Sequence, residues 1–136
     1  MMENDEERKP MTVRELIGGD VIWVAPNATI RTAASEMKSN RVGSVAVEVD
    51  GALEGILTER DVLDAVAEGA DLDLARVDEW MTAYPDSIDP NMSVQEAADW
   101  MLGSGYRHIP VVDGARVLGM ISIKDVLWAM SEPTRA

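Results

Sequence analysis

No cysteine occurs in the 136 residues, which excludes disulfides, thiol nucleophiles and thiolate metal sites. Histidine occurs once, at His108, so a His-based metal cage is ruled out and a histidine proton relay has no second member. Lysine is confined to Lys9, Lys38 and Lys124, and 12 basic residues stand against 25 acidic ones, for a formal net charge of -13. Binding to a phosphate backbone depends on clustered Lys and Arg that release counterions, so nucleic acid is not an expected partner. Long apolar runs are missing too: stretches such as Val21–Ala25 and Val126–Met130 fall far short of the roughly 20 residues that span a bilayer, so no membrane span is expected. The opening MMENDEERKP lacks the basic start and apolar core of a secretory signal, which makes the cytoplasm the expected compartment.

What is present suffices for a packed body. Apolar residues make up 46% of the chain, and 14.8 kDa is the size of one compact domain or of two very small ones sharing a core. Only residues 1–11 read as a disordered acidic segment. The carboxylates are scattered instead of gathered into a tail, the pattern of a halophile-like surface kept soluble in high salt. An ordinary acidic cytoplasmic protein is the alternative.

The sequence repeats itself. At an offset of 64, Thr12–Ala65 lies over Arg76–Ala129 without a gap, and 13 of the 54 pairs are identical. Typical residue frequencies give about three or four by chance. The matches include Pro26-Asn27 with Pro90-Asn91, Ala33-Ala34 with Ala97-Ala98, Met37 with Met101, Gly55 with Gly119, and Asp61-Val62-Leu63 with Asp125-Val126-Leu127.

Each copy reads as strand, helix, strand, strand, helix. A short apolar strand (Ile22–Val24; Ser87–Asp89) is closed by Pro-Asn, a turn signal. A helix then starts at Thr29 or Ser93, with the i, i+3, i+4, i+7 stripe Ile30, Ala33, Ala34, Met37 and its counterpart Val94, Ala97, Ala98, Met101. Ser93 and Glu96 form a capping box. Strands follow at Ser44–Val49 and His108–Val112, then, across an Asp-Gly turn, at Leu53–Leu57 and Arg116–Ile121. Helices close the copies at Glu59–Ala67 and Ile123–Met130. The division is therefore one repeat over 12–67, a polar linker over 68–75 and a second repeat over 76–131. A copy of about 55 residues cannot bury its faces alone, so the copies are expected to pack sheet to sheet as one pseudo-symmetric α/β (α+β) body.

Val42-Gly43-Ser44-Val45, the Gly55–Leu63 stretch GILTERDVL, its counterpart GMISIKDVL over Gly119–Leu127, and Val77–Thr82 (VDEWMT) together resemble the CBS domain, named for cystathionine β-synthase. The resemblance covers about residues 12–130. It implies a tandem pair with a cleft between the repeats that takes AMP, ADP, ATP, S-adenosylmethionine or a related adenosine compound. The [ST]-x-x-D element would carry the recognition: Thr58 and Ser122 stand where a strand hands over to a helix, and Asp61 and Asp125 would accept from the two ribose hydroxyls. The same four residues also make ordinary helix caps, and both roles can coexist. Arg107 and His108 resemble a basic pair that reaches ligand phosphate, although a lone histidine is often simply a structural residue. The first copy has Gly43 and Ser44 there, so the two sites are expected to differ, the second being better suited to phosphate. Arg60 and Lys124, each directly before its aspartate, either lend positive charge or point into solvent.

Trp100 and Trp128 fall beside the main apolar stripes, as either a partner surface or the edge of the core. The function this implies is a non-catalytic regulatory module: an adenosine ligand orders the cleft, and a regulated partner protein reads the change, with no cofactor required. The alternative is a ligand-independent dimerisation module, supported by the degenerate first site; the resemblance also implies a homodimer formed through the helices. An enzyme is not expected, because no nucleophile elbow, metal cluster or P-loop lysine is present.

Overall fold

A computed structural model describes residues 11–131 and divides them into two compact units. The expected disordered segment, residues 1–11, lies outside the described residues except for Met11. The central unit is Asp20–Asp86, and the terminal unit joins the chain before Asp20 to the chain from Ser87 onward.

The central unit runs β1 (Trp23–Val24), α1 (Ile30–Asn40), β2 (Ser44–Val49), β3 (Ala52–Thr58), α2 (Glu59–Ala67), α3 (Val77–Trp80) and β4 (Thr82–Ala83). Its sheet has the order β1-β2-β3-β4, with β1 parallel to β2 and the other neighbours antiparallel. The terminal unit opens with a 3₁₀ turn at Val13–Leu16, followed by α4 (Val94–Ser104), β5 (His108–Asp113), β6 (Arg116–Ser122) and α5 (Ile123–Ser131), its sheet being the antiparallel pair β5-β6.

One expected strand is reduced to a single bridge. Ser87–Asp89 contributes only Ile88, paired in parallel with Val111. In the central unit the Ala46 N–H donates to the Ile22 carbonyl at 2.8 Å. Its counterpart in the terminal unit is Pro110, which has no N–H to give, so that rung of the ladder is lost. The hairpin turns also differ. Asp50-Gly51 has positive φ at both residues, as a type I′ turn requires, whereas the second loop is Gly114-Ala115 with positive φ at Gly114 and Asp113 still in the strand.

The sequence repeats exchange their lead-in segments. Arg76 bridges to Thr29, and the Val77 and Asp78 N–H groups donate to the carbonyls of Ala28 and Pro26 at 2.8 and 2.9 Å, so the lead-in of the second repeat is built into the central unit. Thr12 bridges to Ser93, and the Val13 and Arg14 N–H groups donate to Met92 and Pro90 at 2.8 and 3.0 Å, so the lead-in of the first repeat belongs to the terminal unit. Every one of these contacts maps onto its counterpart at the offset of 64. The sequence repeat and the compact unit thus have different boundaries.

Burial follows the exchange. The terminal core contains Val13 with Ile88, Val94, Ala97, Ala98, Met101, Ile109, Val111, Ile121 and Val126. In the central core Val77 lies with Val24, Ile30, Ala33, Met37, Val45, Val47, Leu57 and Ala65. Each lead-in also covers a matched glycine. A Cβ on Gly119 would lie 2.5 Å from Ile17 Cγ2, and one on Gly55 would collide with the Met81 sulfur. Close approach of the lead-in therefore requires glycine at both positions.

Helix starts are capped by side chains. The Thr29 hydroxyl accepts from Thr32 N–H at 3.1 Å, and the Ser93 hydroxyl accepts from Glu96 N–H at 3.0 Å while the Glu96 carboxylate accepts from Ser93 N–H at 3.1 Å. Ser93→Ala removes the hydroxyl half of this box and is expected to lower stability by about 1 kcal/mol, read as a lower urea midpoint with unchanged slope. Arg31 on α1 pairs with Asp73, and that hydrogen bond, with the Asp73 charge, raises the guanidinium pKa. No helix among the described residues is long and apolar enough to cross a membrane.

Candidate functional site

Both candidate sites are built where the last strand of a hairpin becomes a helix. In the central unit, Thr58 ends β3 and caps α2. Its N–H and hydroxyl both donate to Asp61 Oδ2, at 2.8 and 3.1 Å, and Asp61 N–H returns a bond to the hydroxyl at 3.4 Å. In the terminal unit, Ser122 ends β6, its N–H donates to Asp125 Oδ2 at 3.0 Å, and Asp125 N–H donates to the Ser122 hydroxyl at 3.1 Å. The capping role read from the sequence is thus realised in both copies, and one oxygen of each carboxylate is turned back to its own strand end. Asp125 is exposed, and its Oδ1 accepts no bond from the described residues, which leaves a charged acceptor facing solvent at the helix start.

The neighbouring strand supplies the rest. Ser44 pairs across the hairpin with Thr58, and His108 with Ser122. Directly paired residues on antiparallel strands share a sheet face, so His108 and Ser122 stand on the same face. The residues just before them close the helix starts through their carbonyls: Gly43 O accepts from Glu59 N–H at 3.0 Å, and Arg107 O accepts from Ile123 N–H at 2.7 Å. This main-chain contact has no side-chain signature and was not legible in the sequence. It fixes Gly43 and Arg107 against the first turn of α2 and α5, respectively.

The site residues therefore assemble within units. Thr58 and Asp61 are half-buried, with Arg60 exposed beside them and the buried Ser44 hydroxyl across the hairpin. Ser122 is half-buried together with His108, and Arg107, Lys124 and Asp125 are exposed. The cationic groups near the helix start are Arg107 and Lys124 in the terminal unit, and Arg60 alone in the central one. The helix N-terminus adds partial positive charge in each. Chemically, each start can accept hydrogen bonds from a diol at the aspartate, and the terminal one can also oppose an anion. Of the two tryptophans weighed as surface or core, Trp100 packs on the terminal core and stacks on Tyr106 with centroids 5.3 Å apart, whereas Trp128 is 60% exposed.

The CBS domain model matches residues 13–68 and 77–132. The chain is 36% identical over 116 residues to the CBS domain-containing protein YhcV of Bacillus subtilis, covering 85% of this chain and 82% of that protein. Among solved structures, a CBS-domain containing protein from Agrobacterium tumefaciens superposes with a TM-score of 0.80 at 34% identity, covering 88% of this chain and 99% of that one. A CBS domain protein from Pyrobaculum aerophilum, solved in complex with AMP, superposes with a TM-score of 0.78 at 27% identity over 89% of this chain and 98% of that one. With two family matches spanning most of its length and a fold of two strand-and-helix repeats, the chain belongs to the CBS domain family.

Proposed function

We propose that this chain is a non-catalytic regulatory module that binds an adenosine-containing ligand and signals its presence to a partner protein. The observation that carries the reading is the capped aspartate at each helix start, above all Asp125, whose outward oxygen is a charged acceptor for a ribose hydroxyl. Asp61 has the equivalent role in the central unit. Ser122 and Thr58 hold these carboxylates in place. Arg107, His108 and Lys124 oppose a phosphate at the terminal site, while the central site has Arg60 alone and takes a less charged adenosine compound. The AMP complex of the Pyrobaculum relative supports a nucleotide as the ligand class. S-adenosylmethionine remains the rival ligand.

Calorimetric titration tests this directly. AMP is expected to bind saturably and about tenfold or more tighter than adenosine, because the phosphate adds charge-assisted bonds worth about 1.5–3 kcal/mol. Absence of heat with AMP, ATP, S-adenosylmethionine and NAD would remove the claim.

A second reading is favoured by a separate observation. Leu63 and Val66 on α2 and Leu127, Trp128 and Met130 on α5 are all exposed, with Leu63 62% and Trp128 60% accessible. Such helix faces support a homodimer, and on this reading the module assembles without a ligand. A dimer whose melting temperature is unmoved by every adenosine compound supports the second reading against the first.

A further inference from the structure

We infer that the lead-in segment, residues 11–17, is an exchangeable element through which two copies of this chain join by seating the segment of one in the terminal unit of the other. The segment docks by the Thr12–Ser93 bridge, by the Val13 and Arg14 N–H groups on Met92 and Pro90, by the Val94 N–H on the Met11 carbonyl at 2.9 Å, by the fully buried Val13, and by Ile17 over Gly119. All of its partners come from residues 87–131, more than seventy positions along the chain, so the seat recognises a short segment, one bridging residue and a 3₁₀ turn, irrespective of the chain that delivers it. The matched segment at Arg76–Met81 shows that a seat of this kind accepts its occupant from the other repeat.

The two connections differ, and that difference selects the N-terminal segment for exchange. After Met81 the chain is held by β4, where Thr82 and Ala83 pair with Ile56 and Gly55, and by Tyr84 N–H on the Glu54 carbonyl at 2.8 Å. After Ile17 the corresponding residues are Gly18 and Gly19, exposed, outside any strand, with nothing within 4 Å of either Cβ position and φ +82 at Gly19. A pair of unhindered glycines absorbs the backbone rotation needed to redirect the segment, and trading identical contacts between copies costs little once it has opened. The segment also carries one Arg and one Glu in a chain of net charge -13, so it crosses between copies without adding repulsion of its own.

The absence of native cysteine makes the test clean. Bridged residues on antiparallel strands have Cα atoms about 4.5–5.5 Å apart, within disulfide range. Chains carrying Thr12→Cys alone and Ser93→Cys alone, differing in size by a tag, are unfolded together, refolded at high concentration and oxidised. The expected product is a covalent pair joining one chain of each kind, about tenfold over pairs of like chains, which meet only by collision. Equal yields of like and unlike pairs, or no unlike pair, would overturn the proposal. The chain carrying both substitutions is the folding control: refolded dilute, it is expected to close on itself as a cross-linked monomer, and refolded concentrated, to give covalent dimers as well. Failure to close when dilute, or monomers alone at every concentration, also counts against the exchange.

Discussion

Asp125→Asn is expected to weaken AMP binding by about 10- to 100-fold while leaving the ligand-free protein close to its original stability. The substitution keeps the shape of the side chain and one oxygen. In the folded chain Asp125 Oδ2 accepts the Ser122 N–H, and the asparagine carbonyl can take over that bond, so the cap on α5 persists. The second oxygen has no such substitute, because the amide nitrogen now stands at the position of Oδ1 and presents donors to a ribose hydroxyl. Loss of a charge-assisted bond costs about 1.5–3 kcal/mol, and each 1.4 kcal/mol is a tenfold change in affinity. Calorimetry reads the affinity, and thermal melting without ligand reads the cap. Asp61→Asn serves as the comparison: on the proposed division of sites it leaves AMP affinity within about twofold, less than 0.5 kcal/mol. Unchanged AMP affinity in Asp125→Asn would show that this carboxylate is only a cap.

Gly119→Ala is expected to cost about 1–3 kcal/mol, a large change for a single methyl group. The new Cβ would stand 2.5 Å from Ile17 Cγ2, 3.2 Å from Cγ1 and 3.4 Å from the Ile17 Cβ. Isoleucine is branched at Cβ and stiff at χ1, so it cannot swing its near branch clear, and the lead-in must lift away from the sheet. Lifting it also strains the seat of Val13, which is fully buried in the terminal core. If contact with Ile17 is the cause, Ile17→Ala relieves it. The double variant should then be more stable than the summed single costs by about 1 kcal/mol, measured as a coupling energy from urea unfolding. Strictly additive costs would mean that Gly119 is required for some other reason, such as the backbone geometry beside the bulge that follows Val111.

Much of the central architecture was legible because the offset of 64 ties two weak signals into one. The stripes Ile30, Ala33, Met37 and Val94, Ala97, Ala98, Met101 are buried as the helical period requires, Ala34 being only half-buried, and the capping chemistry of Thr29, Thr58, Ser93 and Ser122 forms in each case. What the sequence could not decide was the membership of the lead-ins. Val13 matches Val77 and Glu15 matches Glu79, so two nearly identical segments face two nearly identical seats, and no local propensity separates the direct pairing from the exchanged one. The shortened ladder at Ile88 was hidden for another reason: Ser87–Asp89 stands at the position of Ile22–Val24 in the repeat and before the same Pro-Asn, and the defect lies in its partner strand, at Pro110, which reads as part of an apolar strand until its missing donor is considered. At the site, the aspartates and hydroxyls were visible as a motif. The carbonyls of Gly43 and Arg107 that lock the helix starts were not, because any residue type supplies a carbonyl.

The crossed lead-ins bear on how such a chain could have arisen. A gene encoding a single repeat would yield a product with one vacant seat and one spare arm, and the arrangement seen here fills each seat from the other repeat. A half-length ancestor that kept this exchanged arrangement would mature with a twin, at a concentration set by the cell. Duplication and fusion replace that requirement with a tether, so that both seats fill at an effective concentration independent of expression. The price is that neither half of the doubled gene encodes a finished body, and recombination at the linker would deliver parts instead of modules.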